Sequence, residues 1–282
     1  KTPRLVNVSY PDDEFESVRR EPDARRQGRR ATELLAIYQQ RMVELARLRR
    51  EDMRRLQDEG LSYAAVATAF GLSKGRIGQI TQSAPPAERA LFGVGPVTVA
   101  LPLRPGGERS LPVIASEDAL AYDRLAQLLR ELLLTVEQLR IPVDGAWTPA
   151  GDVVAICGPK SSPVSAAALA ADPVLDFRAE PDGRWVIADR TDGTRYLSPL
   201  DDGQAGRDIA YLGRLPVPGG GTMLLIAGVH ALGSVGAVDY LAGHAAELYR
   251  QVGEGTFSMI TASRHDGERV VESEALCPPR AH

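Results

Sequence analysis

The chain has 282 residues, a formal net charge of -4 and an isoelectric point near 5.7, and 44% of its residues are hydrophobic. A chain of this length and composition can bury a sizeable core and is expected to form about two domains. No stretch approaches the roughly 18 uninterrupted apolar residues of a membrane span, and the opening residues lack an apolar signal-peptide core. We therefore expect a cytoplasmic protein with no membrane partner.

The two cysteines give no indication of a redox or metal site. Cys157 and Cys277 lie far apart in the sequence and outside any CxxC or Cys/His cluster. That spacing argues against a disulfide framework and against a zinc site. We predict no metal and no cofactor.

Positive charge is concentrated at the N-terminal end. Residues 1 to 90 carry about half of all Lys and Arg in about a third of the length, and the remainder of the chain is acidic. Such asymmetry is typical of a protein with one end facing nucleic acid. We interpret residues 1–30 as a flexible basic arm. The second basic cluster, 46–55, is also explained as a solvated helix face with acidic neighbours.

A long amphipathic helix is predicted between residues 31 and 59, ending at Gly60, because apolar residues recur there at helical spacing. These residues are Leu34, Tyr38, Met42, Leu45, Leu48 and Leu56. The first four form a stripe that is wider than the core of one small helical domain needs. The stripe predicts a homodimer that pairs through this helix.

Two short helices are expected to follow. Ser62 can cap a helix that runs to Phe70, Gly71 supplies a turn, and Ser73 can cap a second helix that runs to about Gln82. Closely crossed helices need a small residue at their contact, glycine in the turn and aliphatic residues on the inner faces. The stretch supplies these as Ala67, Gly71, Val66, Leu72, Ile77 and Ile80.

The stretch LSYAAVATAFGLSKGRIGQITQ, residues 61–82, resembles the helix-turn-helix of sigma factor region 4 and of many bacterial transcriptional regulators. The resemblance implies that residues 31–84 form an all-α domain whose last helix enters the major groove of double-stranded DNA. It implies Arg76 and Gln79 as readers of bases and Lys74 as a phosphate contact, with Ser73 on the same outer face. The alternative is a helix-turn-helix used only for protein contact.

Residues 85–96 are rich in Pro and Gly and are predicted to be a linker, and residues 97–282 are predicted to form an α/β domain. Two segments there repeat one pattern, in which an apolar strand runs into a glycine-containing loop and then a helix. The strands are predicted at 153–157 and 223–227. Apolar strands alternating with helices indicate a Rossmann-like, mostly parallel sheet covered on both faces. Between the two segments, Asp192-Gly193 predicts a hairpin turn.

In open α/β sheets, ligands bind beyond the carboxyl ends of the strands, where glycine allows close approach and helix N-termini attract anions. The two loops therefore predict one site for a small anionic or nucleotide-like ligand. Its candidate residues are Gly158, Lys160, Ser161, Ser162, Gly228, His230 and Ser234. Ordinary turn chemistry is the alternative explanation of these loops. Residues 198–208 are predicted to be a solvated acidic loop, in which Asp201 and Asp202 lack a third metal ligand.

The sequence favours a DNA-binding transcriptional regulator whose α/β domain senses a ligand. The first alternative is an enzyme that acts on a nucleotide or nucleoside and is targeted by its helix-turn-helix, but no catalytic residue is identified from the sequence. The second alternative is a sigma-like protein that binds only protein partners. That alternative predicts a crevice filled by side chains.

Overall fold

A computed structural model describes residues 12–107, 111–217 and 221–282 of the chain. Its N-terminal part is helical, with α1 at Asp12–Arg19, α2 at Ala24–Asp58, α3 at Tyr63–Ala69 and α4 at Lys74–Ser83. The Asp23 side chain caps α2 by accepting a hydrogen bond from the amide of Arg26 at 2.8 Å. Because α2 begins at Ala24, residues 12–30 are largely helical where we expected a flexible arm; residues 1–11 lie outside the described residues.

The two short helices begin at the serines expected to cap them. Ser62 Oγ accepts from the amide of Ala65 at 3.2 Å, and Ser73 Oγ accepts from the amide of Arg76 at 3.3 Å. Gly71 has a φ of 64° in the turn between them. A small core joins α3 and α4 to the C-terminal half of α2, and its buried members are Met53, Val66, Ala67, Ile77 and Ile80.

The predicted linker is packed rather than loose. Ala87–Phe92 form a 3₁₀ helix, and Arg89, Leu91 and Phe92 within it are buried. Leu91 and Phe92 belong to the main hydrophobic core of the C-terminal part. The apolar residues within this short Pro- and Gly-bounded stretch explain why it is held in place.

The described residues of the C-terminal part form ten strands and three α-helices. In chain order they are β1 (Val97–Pro102), α5 (Ser116–Glu131), β2 (Val136–Ile141), β3 (Asp152–Ile156), α6 (Pro163–Ala170), β4 (Leu175–Ala179), β5 (Trp185–Asp189), β6 (Arg195–Leu197), β7 (Arg207–Pro216), β8 (Thr222–Gly228), α7 (Ala231–Val252), β9 (Phe257–Asp266) and β10 (Arg269–Ala281). The predicted α/β class is confirmed. The Asp192-Gly193 turn joins β5 to β6, which pair antiparallel.

Seven strands form the main sheet in the order β10-β9-β7-β8-β3-β1-β2. The four strands β2, β1, β3 and β8 pair parallel, whereas β7, β9 and β10 are added antiparallel, so that five of the seven strands point the same way. We did not predict the antiparallel extension. The remaining strands form a separate sheet in the order β4-β5-β6.

The domain has three layers. Helices α5 and α7 pack on one face of the main sheet, and α6 and the small sheet pack on the other. From β1 the chain crosses by α5 to β2 at one edge, whereas from β3 it leaves by α6 on the opposite face and returns at β8 on the other side. The connections therefore diverge between β1 and β3, which is the position where α/β sheets open a crevice at the carboxyl ends of their strands.

Candidate functional site

A cavity of ≈ 170 Å³ lies at this divergence. Its walls come from the ends of β1, β3 and β8 and from the first turns of α5 and α7. The structure brings six of the predicted ligand residues to its lining: Gly158, Lys160, Ser161, Gly228, His230 and Ser234. The parallel pairing of β3 with β8, in register at Ile156 and Ile226, places the two loops on the same edge of the sheet.

Ser162 does not belong to the cavity lining and has a different role from the one we predicted. It is buried, and its Oγ caps α6 by accepting from the amide of Ser165 at 3.4 Å. The same hydroxyl donates to the carbonyl of Gly145 at 3.2 Å and accepts from Trp147 Nε1 at 3.1 Å. All of these partners belong to the protein, so Ser162 holds the loop in place.

The two glycines are small for different reasons. A Cβ on Gly158 would meet only Ala227 Cβ and the Gly228 carbonyl oxygen, each at 3.9 Å, which is ordinary contact. A Cβ on Gly228 would lie 2.1 Å from the His230 carbonyl oxygen and 2.6 Å from the Ser234 nitrogen. Any side chain at position 228 would therefore clash with the backbone of its own loop. At position 158 no protein atom lies close enough to exclude a side chain.

Lys160 links the two loops. Its Nζ donates to the carbonyl of Val229 at 3.1 Å and lies 5.1 Å from the centre of the Trp185 ring. Partial burial lowers the pKa of Lys160, and the carboxylates of Asp201 and Asp208 oppose that shift. An ammonium group has three donors, so Lys160 keeps donors for a ligand.

His230 is paired with a carboxylate. Its Nε2 lies 2.8 Å from Asp201 Oδ1. The sequence suggested that Asp201 lies in a solvated loop; instead it is in a 3₁₀ helix, Pro199–Asp202, that packs beside the β8–α7 loop and orients the imidazole. A histidine held by a carboxylate is the arrangement that general acid–base catalysis uses.

Asp208 lies directly beneath the N-terminus of α7. One of its oxygens accepts from the amides of Gly233 at 2.6 Å and His230 at 3.1 Å, and the other accepts from Ser198 Oγ at 2.7 Å. Burial raises the pKa of Asp208, while the hydrogen bonds from Ser198 and from the amides of Ile209 and Gly233 lower it. Ser198 and Asp208 are both buried, whereas residues 202–205 between them are exposed, so the prediction of a solvated loop over 198–208 holds for its middle and is wrong at its two ends.

The β1 side of the cavity carries a second ion pair that we did not predict. Arg104 Nη2 lies 3.1 Å from Asp118 Oδ2, and Asp118 is almost fully buried in the first turn of α5. Burial raises the pKa of Asp118, and Arg104 opposes the shift. These residues stand far from both glycine loops in the sequence.

Cys157 also lines the cavity, but its chemistry is that of a packing residue. Burial raises the pKa of its thiol to about 12. A thiol with this pKa is almost entirely protonated near neutral pH, so Cys157 is not an activated nucleophile.

The four residues proposed to face DNA lie together on α4. Ser73, Lys74, Arg76 and Gln79 are all exposed, whereas Ile77 and Ile80 on the opposite side of the helix are buried. Arg76 Nη1 donates to Gln79 Oε1 at 3.1 Å, so the two expected base readers are adjacent.

A buried polar network fixes α2 to the α/β part of the chain. The Arg47 guanidinium, 1% exposed, lies 2.7 Å from Glu51, 2.7 Å from Glu254 and 2.9 Å from Tyr249 Oη, and it also contacts Glu44. Four acceptors around one guanidinium satisfy a charge that would otherwise be costly to bury.

Arg89 extends the same network into the core. Its guanidinium lies 2.6 Å from Glu44 and 3.2 Å from Gln40 Oε1. Gln40 in turn donates to Thr135 Oγ1, next to the start of β2, at 3.0 Å. The helical part and the α/β part are therefore joined through two guanidinium groups that are withdrawn from solvent, with Glu254 as an exposed partner at the edge of the network.

No protein-family model, curated protein or solved structure matches this chain. Within residues 12–107, 111–217 and 221–282, no helix has the length and apolar character needed to cross a membrane. The same described residues contain no cluster of three or more His, Cys, Asp or Glu side chains suited to a metal ion.

Proposed function

We propose that this protein is a DNA-binding transcriptional regulator with a helix-turn-helix at α3–α4 and a Rossmann-like domain that senses a small ligand. One observation carries the proposal: α4 presents Ser73, Lys74, Arg76 and Gln79 to solvent on one face while its other face is buried against α2 and α3. Such a helix can enter a major groove without losing its own packing.

The charges of the chain support this assignment. Lys74 and Arg76 belong to the basic N-terminal third, and the acidic remainder of the chain makes the net charge negative without neutralising the proposed DNA surface. Arginine and glutamine side chains match the major-groove edges of guanine and adenine respectively.

Helix α7 offers a route between the two proposed sites. It begins beside the cavity, with Ser234 in the lining, and Tyr249 near its other end contacts Arg47 and Glu51 of α2. A ligand that favours one position of α7 would favour one position of α2 and hence of α4. Ligand binding can change DNA binding only if the ligand has a different affinity for the two arrangements of the protein.

The DNA proposal is tested by titrating a labelled pool of genomic fragments at several salt concentrations. Arg76→Ala should lose about 1 to 3 kcal/mol of discrimination at the base it reads. Lys74→Ala should weaken binding to all sequences alike. It should also reduce the dependence of affinity on salt concentration by the equivalent of about one phosphate contact.

Arg269→Ala is the matched control, because it removes an equal charge from an exposed residue at the start of β10. It should bind DNA as the unaltered protein does. Identical binding curves for Arg76→Ala, Lys74→Ala and the control would exclude α4 as the reading helix.

An enzyme acting on a nucleotide or nucleoside is the second candidate, and the His230–Asp201 pair at 2.8 Å is the observation that favours it. In that case His230 would act as the general base toward a water molecule. Prolonged incubation with nucleotides, followed by mass spectrometry, separates the two functions. If the nucleotide is converted and His230→Ala abolishes the conversion, the protein is an enzyme. If the nucleotide is recovered in full, the sensor function stands.

A further inference from the structure

Both helix N-termini at the cavity are already occupied by side chains of the protein. Asp208 accepts the amides of His230 and Gly233 at the start of α7, and Ser162 caps α6. A helix N-terminus normally attracts phosphate through its free amides and its dipole. At α7 two of these amides already donate to the buried Asp208 carboxylate beneath the terminus, so a phosphate placed there would be repelled by a nearby negative charge.

The hydrogen bonds around Asp208 show that it acts as a carboxylate. Three amides and the Ser198 hydroxyl point toward its two oxygens. Four donors fit an ionised group, which only accepts, better than a protonated one, which must also donate. Removing this charge, rather than adding a cation, is therefore the change that would open α7 to phosphate.

Two cations line the cavity. Lys160 and Arg104 line it, and each is only partly used: Lys160 by one carbonyl at 3.1 Å and Arg104 by Asp118 at 3.1 Å. Against these two cations stand three carboxylates in or beside the lining, which are Asp118, Asp201 and Asp208. The carboxylates offset the two cations, so these surroundings do not favour a ligand with several phosphates.

The rest of the lining suits an uncharged body with hydroxyl groups. Phe177, Ile156 and Pro102 supply an apolar wall. Asp118 and His230, which line the cavity, supply acceptors for hydroxyl groups, as acidic residues do for ribose in α/β nucleotide sites.

We propose that the cavity binds a hydroxyl-bearing molecule with a single phosphate, of the class of a nucleoside or sugar monophosphate, and discriminates against di- and triphosphates. This inference rests on the ligand site of the proposed function. It assigns the phosphate to Lys160 and Arg104 and assigns to Asp208 the exclusion of longer phosphate chains.

The experiment measures thermal shift and calorimetric affinity of the full chain, without divalent cations, for AMP, GMP, CMP, UMP and ribose 5-phosphate, and for the nucleoside, diphosphate and triphosphate of each of the four bases. At least one monophosphate should bind, and its triphosphate, which carries about two more negative charges, should bind about tenfold more weakly or worse. Lys160→Met should weaken the monophosphate about tenfold and leave any binding of the neutral nucleoside unchanged.

Asp208→Asn is the decisive variant, because it keeps an oxygen acceptor for the α7 amides and removes the charge. It should reduce the difference in affinity between the monophosphate and the triphosphate. If this variant does not fold, Asp201→Asn removes the carboxylate behind His230 and should reduce the same difference.

A triphosphate that binds the unaltered protein as tightly as the monophosphate, or a panel in which no phosphate binds, would overturn the inference. The inference would also be overturned if the difference in affinity between monophosphate and triphosphate stayed the same in every Asp variant that folds. The DNA titration is independent of these measurements. If no ligand binds as proposed but α4 still reads DNA, only the ligand inference fails. If α4 does not read DNA, the proposed regulator itself fails.

Discussion

Single residues at the cavity differ in what they do for the fold, and the two loop glycines show it best. Gly158→Ala places a methyl group toward the cavity at ordinary contact distances and at a backbone conformation that alanine tolerates. Gly228→Ala places it 2.1 Å from the His230 carbonyl oxygen. One substitution therefore reports on the cavity and the other on the loop.

We expect the free energy of urea unfolding of Gly158→Ala to lie within about 0.5 kcal/mol of that of the unaltered protein. It should at the same time weaken the monophosphate ligand by filling the space beside Lys160. Gly228→Ala should lose about 2 kcal/mol or more, because backbone atoms must move to admit the methyl group. Equal stability of the two variants would contradict the distinction, and unchanged ligand affinity in Gly158→Ala would remove that glycine from the site.

The strand–loop–helix elements were accessible from the sequence because each is encoded by neighbouring residues. An apolar run, a glycine and a following helix predicted the loops at Gly158 and Gly228 and their approach to each other. The partners of these loops were not accessible in this way. Asp201, Asp208, Arg104 and Asp118 reach the cavity from other elements, and their charges in the sequence resemble those of solvated loops.

The packing between elements was the least predictable part of the structure. Arg47 lies in a basic run that the sequence explains equally well as a solvated helix face, yet it is 1% exposed. Its burial depends on Glu254 and Tyr249, more than two hundred residues away in the chain. Sequence periodicity identifies the buried face of a helix when that face is apolar, but it gives no such indication when the buried face is ionic.

At the scale of elements, the attachment of α2 to the α/β part should depend on Arg47. Arg47→Met leaves Glu44 with Arg89 as its remaining cation and removes the cation shared by Glu51 and Glu254, and we expect a loss of about 2 to 3 kcal/mol in the free energy of urea unfolding. Arg55→Ala is the control on the same helix: its ion pair with Asp52 is exposed and should contribute at most about 1 kcal/mol. Similar losses in the two variants would show that the buried network does not hold α2 in place.

At the scale of the whole molecule, α2 leaves an apolar stripe exposed. Leu35, Met42 and Leu45 are 60%, 70% and 65% exposed, with half-buried Tyr38 between them, whereas Leu34 from the predicted stripe is buried. The spacing from Leu35 to Leu45 alternates three and four residues, as in the seam of a coiled coil. Gln40 and Arg47, which make polar contacts with the α/β part, occupy the heptad position opposite this seam, so these contacts do not use the exposed side chains of the seam.

The orientation of such a dimer follows from the length of α2. The end of α2 lies about 27 Å from the middle of the stripe at 1.5 Å per residue. An antiparallel pair would hold the two α4 helices more than about 50 Å apart along the helix axis, which does not match half-sites about 34 Å apart. A parallel pair brings both α4 helices to the same end of the molecule, where they can face one operator.

We therefore expect light scattering to show a dimer at micromolar concentration, which Leu45→Glu converts to a monomer by burying a charge in the seam. Leu111→Glu, at an 84% exposed leucine away from α2, should remain dimeric. Leu35→Cys tests the orientation, because a parallel seam places the two introduced thiols opposite each other, an antiparallel seam separates them by about 15 Å along the axis, and the native Cys157 and Cys277 are buried. A monomeric unaltered protein, with and without DNA, would refute the seam, and a dimer in which Leu35→Cys does not cross-link under oxidation would refute the parallel arrangement.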